Sequence, residues 1–386
     1  MTTELLSANH AAAMAATLAG RANRRARGFG GGVYPITPQS ECIELLCRQD
    51  FEKGEIVRVE SEHSAMAVCM GFAFGGARSF TASSSNGLAY MTENVYAAAF
   101  YRLPIVMMAV NRTLGPPWNI WVDHGDTLLL RDAGWIQLYC EDNQEVMDTI
   151  LLSYRLAEDA RVLLPALVCQ DAFVLSHTMV QTEVPEQELV DRFLPPLDLP
   201  HRLTDRAVTV GGLDFPHETE VHRKQHEEAM RRVPAVYAEC QRAFEQVFGR
   251  RPPDPVVPYR MDDAEVALIS MGTTASTVRR AVDRARDQGL RAGGLRVQMF
   301  RPFPERELRR NLAGCVRVGV IDRDISLGMG GVLWSEARSS APRDALVQNY
   351  VVGLGGGDIR PEHVGAILSD LCERDEAGAP EIMEAE

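Results

Sequence analysis

The chain has 386 residues and a formal charge of −13, with apolar and charged shares of 46% and 24%. That length suits two cores, because a single core stops growing at shorter lengths, and the composition excludes wholesale disorder. The acidic surplus excludes the clustered basic surface that nucleic acid needs and leaves basic proteins as the electrostatically favoured partners.

From Asn9 to Arg27 alanine and leucine recur at helical spacing, and the glycines from Gly28 to Gly32 read as the stop of that helix. In Val33-Tyr34-Pro35-Ile36-Thr37-Pro38 each proline pushes its predecessor out of the helical region, so Thr37 is expected extended at a strand end. A helix over Ser40 to Arg48 and a strand over Ile56 to Val59 follow. Ser61 to Ala77 is small and apolar on all sides, which predicts a buried helix with Ser61 as N-cap and Glu62 in its first turn.

Further on, strands over Ser79 to Ser83, Ile105 to Val110, Trp135 to Tyr139 and Ala166 to Cys169 alternate with helices over Leu88 to Phe100 and Gln144 to Ala157. This alternation predicts an α/β fold with a parallel sheet covered on both faces. Prolines then cluster around a charged helix, His217 to Phe248. After Pro258 strands at Val266 to Ser270, Leu295 to Met299, Val316 to Ile321 and Leu346 to Val352, with a helix over Thr274 to Gln288, predict a second, smaller α/β domain. The expected division is residues 1–195, a connector at 196–258, the second domain at 259–372 and a frayed acidic tail at 373–386.

Eight cysteines are present, and no two are separated by only two residues, which argues against an iron-sulfur or zinc site in this chain. Reduced, buried thiols are the expectation. No apolar run reaches about 18 residues and no signal-type apolar region opens the chain, so the cytoplasm is the expected compartment.

Few segments carry chemistry. A carboxylate at Glu62, heading so apolar a helix, loses hydration and is able to share a proton with a bound base; the plain alternative is a charge that only complements the helix dipole. Arg112 follows a strand at its carboxyl end, where open α/β sheets place ligands, and a guanidinium there suits a carboxylate substrate or a structural ion pair. Thr37 offers a hydroxyl at another strand end or satisfies its own loop. Asp123-His124-Gly125-Asp126 contains metal-ligand types, but neighbours on one short loop seldom converge on an ion, and structural hydrogen bonding is the stronger reading. Neither Gly28 to Gly32 nor Gly353 to Gly357 makes a phosphate loop, and Ser84 and Ser85 lack a hydrolase elbow.

The order of Tyr34-Pro35-Ile36-Thr37-Pro38, Ser61-Glu62-His63, Gly75-Gly76-Ala77-Arg78, Leu103-Pro104-Ile105-Val106, Asn111-Arg112, Asp123-His124-Gly125-Asp126, Arg131-Asp132-Ala133-Gly134-Trp135-Ile136-Gln137 and Asp171-Ala172-Phe173 resembles the alpha subunit of the pyruvate:ferredoxin oxidoreductases. Met271-Gly272-Thr273, Arg301-Pro302-Phe303-Pro304 and Ile321-Asp322-Arg323-Asp324 resemble the second alpha-subunit domain of that family. Two departures stand out: Ala8-Asn9-His10-Ala11 where Gly-Asn-Glu-Ala is usual, and Ser83-Ser84-Ser85-Asn86-Gly87 where Thr-Ser-Ser-Gln-Gly is usual.

The resemblance implies a thiamine-diphosphate-binding, pyrimidine-type parallel-sheet domain followed by a transketolase C-terminal-like α/β domain. It implies that Glu62 bonds the aminopyrimidine of thiamine diphosphate, making that ring the base for the thiazolium C2 proton. Thr37 and Arg112 hold the 2-oxoacid carboxylate, and Pro35, Thr37, Glu62 and Arg112 line the cofactor. Diphosphate and Mg2+, together with [4Fe-4S] clusters, fall to beta, gamma and delta subunits; coenzyme A takes the acyl group and ferredoxin the electrons. Two alternatives stay open: another 2-oxoacid (branched-chain, aromatic or oxalate), with Trp118 shaping the pocket or simply buried, and a non-catalytic assembly subunit.

Overall fold

The computed structural model describes residues 1–203, 207 and 209–384. Its larger sheet has seven strands in the spatial order Met299–Arg301, Ile136–Tyr139, Ala166–Asp171, Val106–Asn111, Arg78–Ser83, Phe29–Val33 and Ile56–Arg58. All neighbours pair in parallel except the first two. Along Val106–Asn111 the side chains of Val106, Met108 and Val110 enter one core and those of Met107 and Ala109 the other. Both faces are therefore covered, as an apolar parallel strand requires. Helices Ala8–Ala22 and Asn143–Ala157 pack together beside the first core, and Glu62–Phe74 and Thr92–Phe100 beside the second.

The glycine cluster is where the sequence misled. Phe29–Val33 is a fully buried interior strand, not a helix stop. A Cβ on Gly30 would strike the Phe72 ring, and one on Gly32 the Ala65 carbonyl, both on the helix Glu62–Phe74. Glycine is needed there because that helix lies so close to the strand. The predicted helix over Leu88 to Phe100 is also broken, into Asn86–Tyr90 and Thr92–Phe100, at Met91 (ψ 1°).

Six strands form the smaller sheet, ordered Glu381–Met383, Leu346–Val352, Arg317–Asp322, Val266–Ser270, Ala292–Val297 and Val256–Tyr259, with only the last running antiparallel. Two sequence expectations change here. The strand expected over Leu295 to Met299 divides at Gln298: Ala292–Val297 belongs to the smaller sheet, and Met299–Arg301 crosses to extend the larger one. The acidic tail is not simply frayed, since Glu381–Met383 adds an edge strand beside Tyr350 to Val352, with Gln348 bonding Gly378 and Ala379 ahead of it. Residues 385 and 386 of that tail lie outside the described residues. An unanticipated ribbon pairs Thr2–Leu6 with Val180–Val184.

The charged helix expected in the connector spans Pro216–Phe248. Its buried residues, among them Ala229, Val233, Val236, Cys240 and Phe244, recur at helical spacing and seat it on Asn143–Ala157 and Gln187–Phe193 of the larger domain.

Charge also binds the two domains together. Arg296 of the smaller sheet donates twice from Nη1 to Glu145, at 2.8 and 2.9 Å, and Arg279 pairs with Glu141. Nearby, His124 meets Asp171 at 2.8 Å, while Thr273 of the smaller domain donates its hydroxyl to the other Asp171 oxygen at 2.5 Å. Arg323 closes this seam: its carbonyl accepts the His124 N–H at 2.9 Å, and its guanidinium donates to the carbonyls of Gly353 and Gly357.

Candidate active site

Four adjacent parallel strands end on one side of the larger sheet, and each is followed by a segment singled out in the sequence. Phe29–Val33 leads to Pro35 and Thr37, Ile56–Arg58 to Glu62, Arg78–Ser83 to the turn at Ser84 to Gly87, and Val106–Asn111 to Arg112. Carboxyl ends of parallel strands are where α/β sheets hold ligands, because loops diverge there.

Local sequence places Glu62. Ser61, extended at φ −161° and ψ 160°, accepts the Ser64 N–H on its hydroxyl, starting the helix so that Glu62 falls in the first turn. Glu62 is only 7% exposed, yet among the described residues its carboxylate has no hydrogen bond or ion pair. Its neighbour is Gly87, where an ideal Cβ would lie 2.7 Å from Glu62 Oε1 and 2.5 Å from Ser83 Oγ. Only glycine lets the turn close on the carboxylate. The hydroxyls of Ser83 and Ser84, both fully buried, also lack partners among the described residues.

Arg112 is 8% exposed and half-committed. Its Nε donates to the Asn119 carbonyl and its Nη1 to the Thr37 carbonyl, each at 2.8 Å, whereas Nη2 has no partner among the described residues. Burial draws the guanidinium below its ordinary value, and Asp126 partly offsets this. The structure thus brings Thr37 and Arg112 into contact through the Thr37 backbone, while the Thr37 and Pro35 side chains face solvent. Asn9 supports this loop from beneath, donating to the Pro38 carbonyl at 2.7 Å and to Glu41 at 2.9 Å.

Glu62 and Arg112 are linked through the Ser84 to Gly87 turn. Ser85 adopts φ 51° and ψ −128°, a conformation that costs a non-glycine residue about 1–3 kcal/mol. It is restrained on both sides, by the Asp126 carboxylate at its N–H (2.8 Å) and by the Thr113 carbonyl at its hydroxyl (2.5 Å). Asn86 and Gly115 exchange two hydrogen bonds at 3.0 Å.

The Asp123-His124-Gly125-Asp126 side chains are spent on hydrogen bonding inside the chain. Asp123 accepts the Gly125 N–H, His124 joins the domain seam, and Asp126 is fully buried among N–H donors. Burial opposes charge on His124, but Asp171 outweighs it and raises the imidazole above its ordinary value. Burial likewise acts against ionised Asp171, and the facing His124, with Arg323 and Thr273, brings it down to about 2. Trp118 is corrected: it is 71% exposed, not buried, on the loop whose Asn119 holds Arg112. Sequence reasoning missed Asp126 as an organiser of the site, because its partners Ser85 and Asn111 are far from it along the chain; only its place in a quoted motif marked it.

Two parallel-stranded α/β domains, with a buried carboxylate and a guanidinium nitrogen left without partners among the described residues at strand carboxyl ends, define the class, an α/β protein with a ligand-type site at the strand ends of its larger sheet. Residues 31–242 match the thiamine diphosphate-binding domain of pyruvate flavodoxin/ferredoxin oxidoreductases, and residues 264–364 match pyruvate:ferredoxin oxidoreductase core domain II. The chain is 43% identical to the pyruvate synthase subunit PorA of Methanothermobacter thermautotrophicus over 95% of each chain. It is 40% identical to the ketoisovalerate oxidoreductase subunit VorA of Pyrococcus abyssi, covering 97% of this chain and 95% of that one. In fold it is similar to 2-oxoglutarate:ferredoxin oxidoreductase from Magnetococcus marinus (TM-score 0.73, 19% identity), covering 96% of this chain and spanning 65% of that longer one. The chain belongs to the pyruvate:ferredoxin oxidoreductase family.

Proposed function

We propose that this chain is the alpha subunit of a 2-oxoacid:ferredoxin oxidoreductase that oxidises pyruvate and coenzyme A to acetyl-CoA and carbon dioxide, passing two electrons to ferredoxin. The observation that carries this reading is the buried Glu62 carboxylate, without a partner among the described residues, beside a turn that also reaches Arg112.

The donor set fits thiamine diphosphate at its pyrimidine end, since a carboxylate with no partner among the described residues suits the ring's N–H and the buried Ser83 and Ser84 hydroxyls offer further polar contacts. When bound, that group supplies a carbanion able to attack the 2-oxoacid carbonyl. The residues of this chain do the rest. Glu62 holds the proton that shifts the ring's tautomer, and Arg112 directs Nη2 at the substrate carboxylate until it departs as carbon dioxide. The Thr37 hydroxyl adds a second contact, and Pro35 shapes the loop that presents it.

Diphosphate and Mg2+, with the [4Fe-4S] clusters, belong in this reading to beta, gamma and delta subunits, separate or fused. Among the described residues no group of three or more His, Cys, Asp or Glu is arranged to hold a metal, and no helix is long and apolar enough to cross a membrane. The cytoplasm is the proposed compartment.

Pyruvate and the branched 2-oxoacid 3-methyl-2-oxobutanoate are separated by assaying the assembled complex for viologen or ferredoxin reduction with each, plus coenzyme A and thiamine diphosphate. Pyruvate-dependent reduction that requires coenzyme A is the expected result. Activity with the branched acid alone would change the substrate and keep the mechanism; absence of reduction with every 2-oxoacid tested would leave a non-catalytic assembly subunit.

A further inference from the structure

Asp126 takes no part in the chemistry assigned above, yet both halves of the site converge on its side chain. It is fully buried. Its Oδ2 accepts the Ser85 N–H at 2.8 Å and the Arg112 N–H at 2.9 Å. Its Oδ1 accepts the Asn111 amide at 3.0 Å and the Thr127 N–H at 2.8 Å. All four partners are N–H donors, so the site is built for a carboxylate acting only as acceptor. Burial pushes the carboxyl up to about 7, against the pull of these hydrogen bonds.

We propose that Asp126 is a positioning residue for the reaction, its Oδ2 joining the strand end that carries Arg112 to the turn that sets Gly87 against Glu62. The proposal rests on the reading of Glu62 and Arg112 given above. Ser85 shows why such a joint is needed. Its strained backbone stays in place only if the surroundings over-determine it, and Asp126 supplies the restraint on its N–H. Without Oδ2, two buried amides lose their acceptor together, one on each side of the site. An asparagine is the same size, but whichever way its amide turns its NH2 faces one pair of N–H donors, Ser85 with Arg112 or Asn111 with Thr127, so the joint cannot keep all four bonds.

The test uses the reconstituted complex, with wild type, D126N and the double variant D126N/S85G assayed for 2-oxoacid-dependent dye reduction. D126N is expected to raise the KM for the 2-oxoacid and to lower kcat, each by about tenfold or more, since Arg112 and the turn against Glu62 both lose their anchor. Glycine is at ease at φ 51°, so D126N/S85G is expected to recover much of kcat while KM stays high. A merely structural Asp126 would lower the melting temperature and leave KM and kcat per folded complex unchanged, and that result overturns the proposal. So does recovery of both parameters together in the double variant. If D126N does not assemble, D126E keeps the charge and moves the oxygens by one methylene; unchanged KM and kcat there overturn the proposal equally. A wild-type complex that fails to reduce the dye with every 2-oxoacid tested shows instead that the functional reading itself has failed.

Discussion

The strand-end site and the domain seam lie close together and are both rich in buried charge, but they treat that charge in opposite ways. In the seam each charge has its counterpart: His124 with Asp171, Arg323 with two carbonyls, Arg296 with Glu145. At the site Glu62 and Arg112 Nη2 are left without partners among the described residues. Burying a charge is costly unless it is paired, so the unpaired groups fit the proposed ligand site, where a bound group would supply the missing half, and the paired ones mark architecture.

The largest effects should separate the two regions. Replacing Glu62 by Gln keeps the volume and removes the exchangeable charge, so turnover of the complex is expected to fall by about 10²–10⁴-fold with the melting temperature unchanged. Replacing His124 by Ala should do the reverse. It leaves Asp171 buried without its main partner, costing about 3–5 kcal/mol in a denaturant melt, while kcat per folded complex holds. A drop in kcat with H124A at full occupancy of the folded state would blur the comparison.

Next comes G87A, whose methyl must displace Glu62 or Ser83; a misplacement of about 1 Å is enough for roughly 10²-fold in rate. Turnover measured beside thermal stability shows whether the loss is local. R112K keeps the charge but loses the fork that serves Asn119 and Thr37 and, in the proposed reading, the substrate. It is expected to raise the 2-oxoacid KM by about tenfold or more, read from initial rates.

The smallest effect is on pH dependence. Because the folded-state value of His124 lies above its ordinary 6.5, its contribution to stability is complete below 6.5 and lost as pH rises through the raised value. Asp171, held down at about 2, contributes above its ordinary 3.8 and loses this as pH falls towards 2. Melting temperature should therefore fall as pH is raised above 6.5, and less steeply in H124A. An equal slope in both proteins would remove His124 as the cause.

What could be read from sequence follows from how far each signal reaches along the chain. Glu62 was legible because an N-cap serine and a first-turn acid are adjacent, and Arg112 because it directly follows an apolar strand. The α/β alternation and the connector helix were legible from periodicity. The strand Phe29–Val33 was not, because five residues with three central glycines look like a turn until Phe72 and Ala65 press against them from another helix. The crossing strand Met299–Arg301 and the edge strand Glu381–Met383 are each three residues long, too short to show a period. Asp126 escaped for the same reason of range: the Ser85 amide it holds is 41 residues away, and the Arg112 amide 14.

The most direct test of the central claim, that the unpartnered Glu62 carboxylate activates thiamine diphosphate, is the rate at which the cofactor's C2 proton exchanges with deuterium in the assembled complex, compared between wild type and E62Q. The account predicts exchange slowed by at least about 10²-fold in E62Q, with cofactor still bound and the complex intact. Equal exchange rates in the two complexes would contradict it.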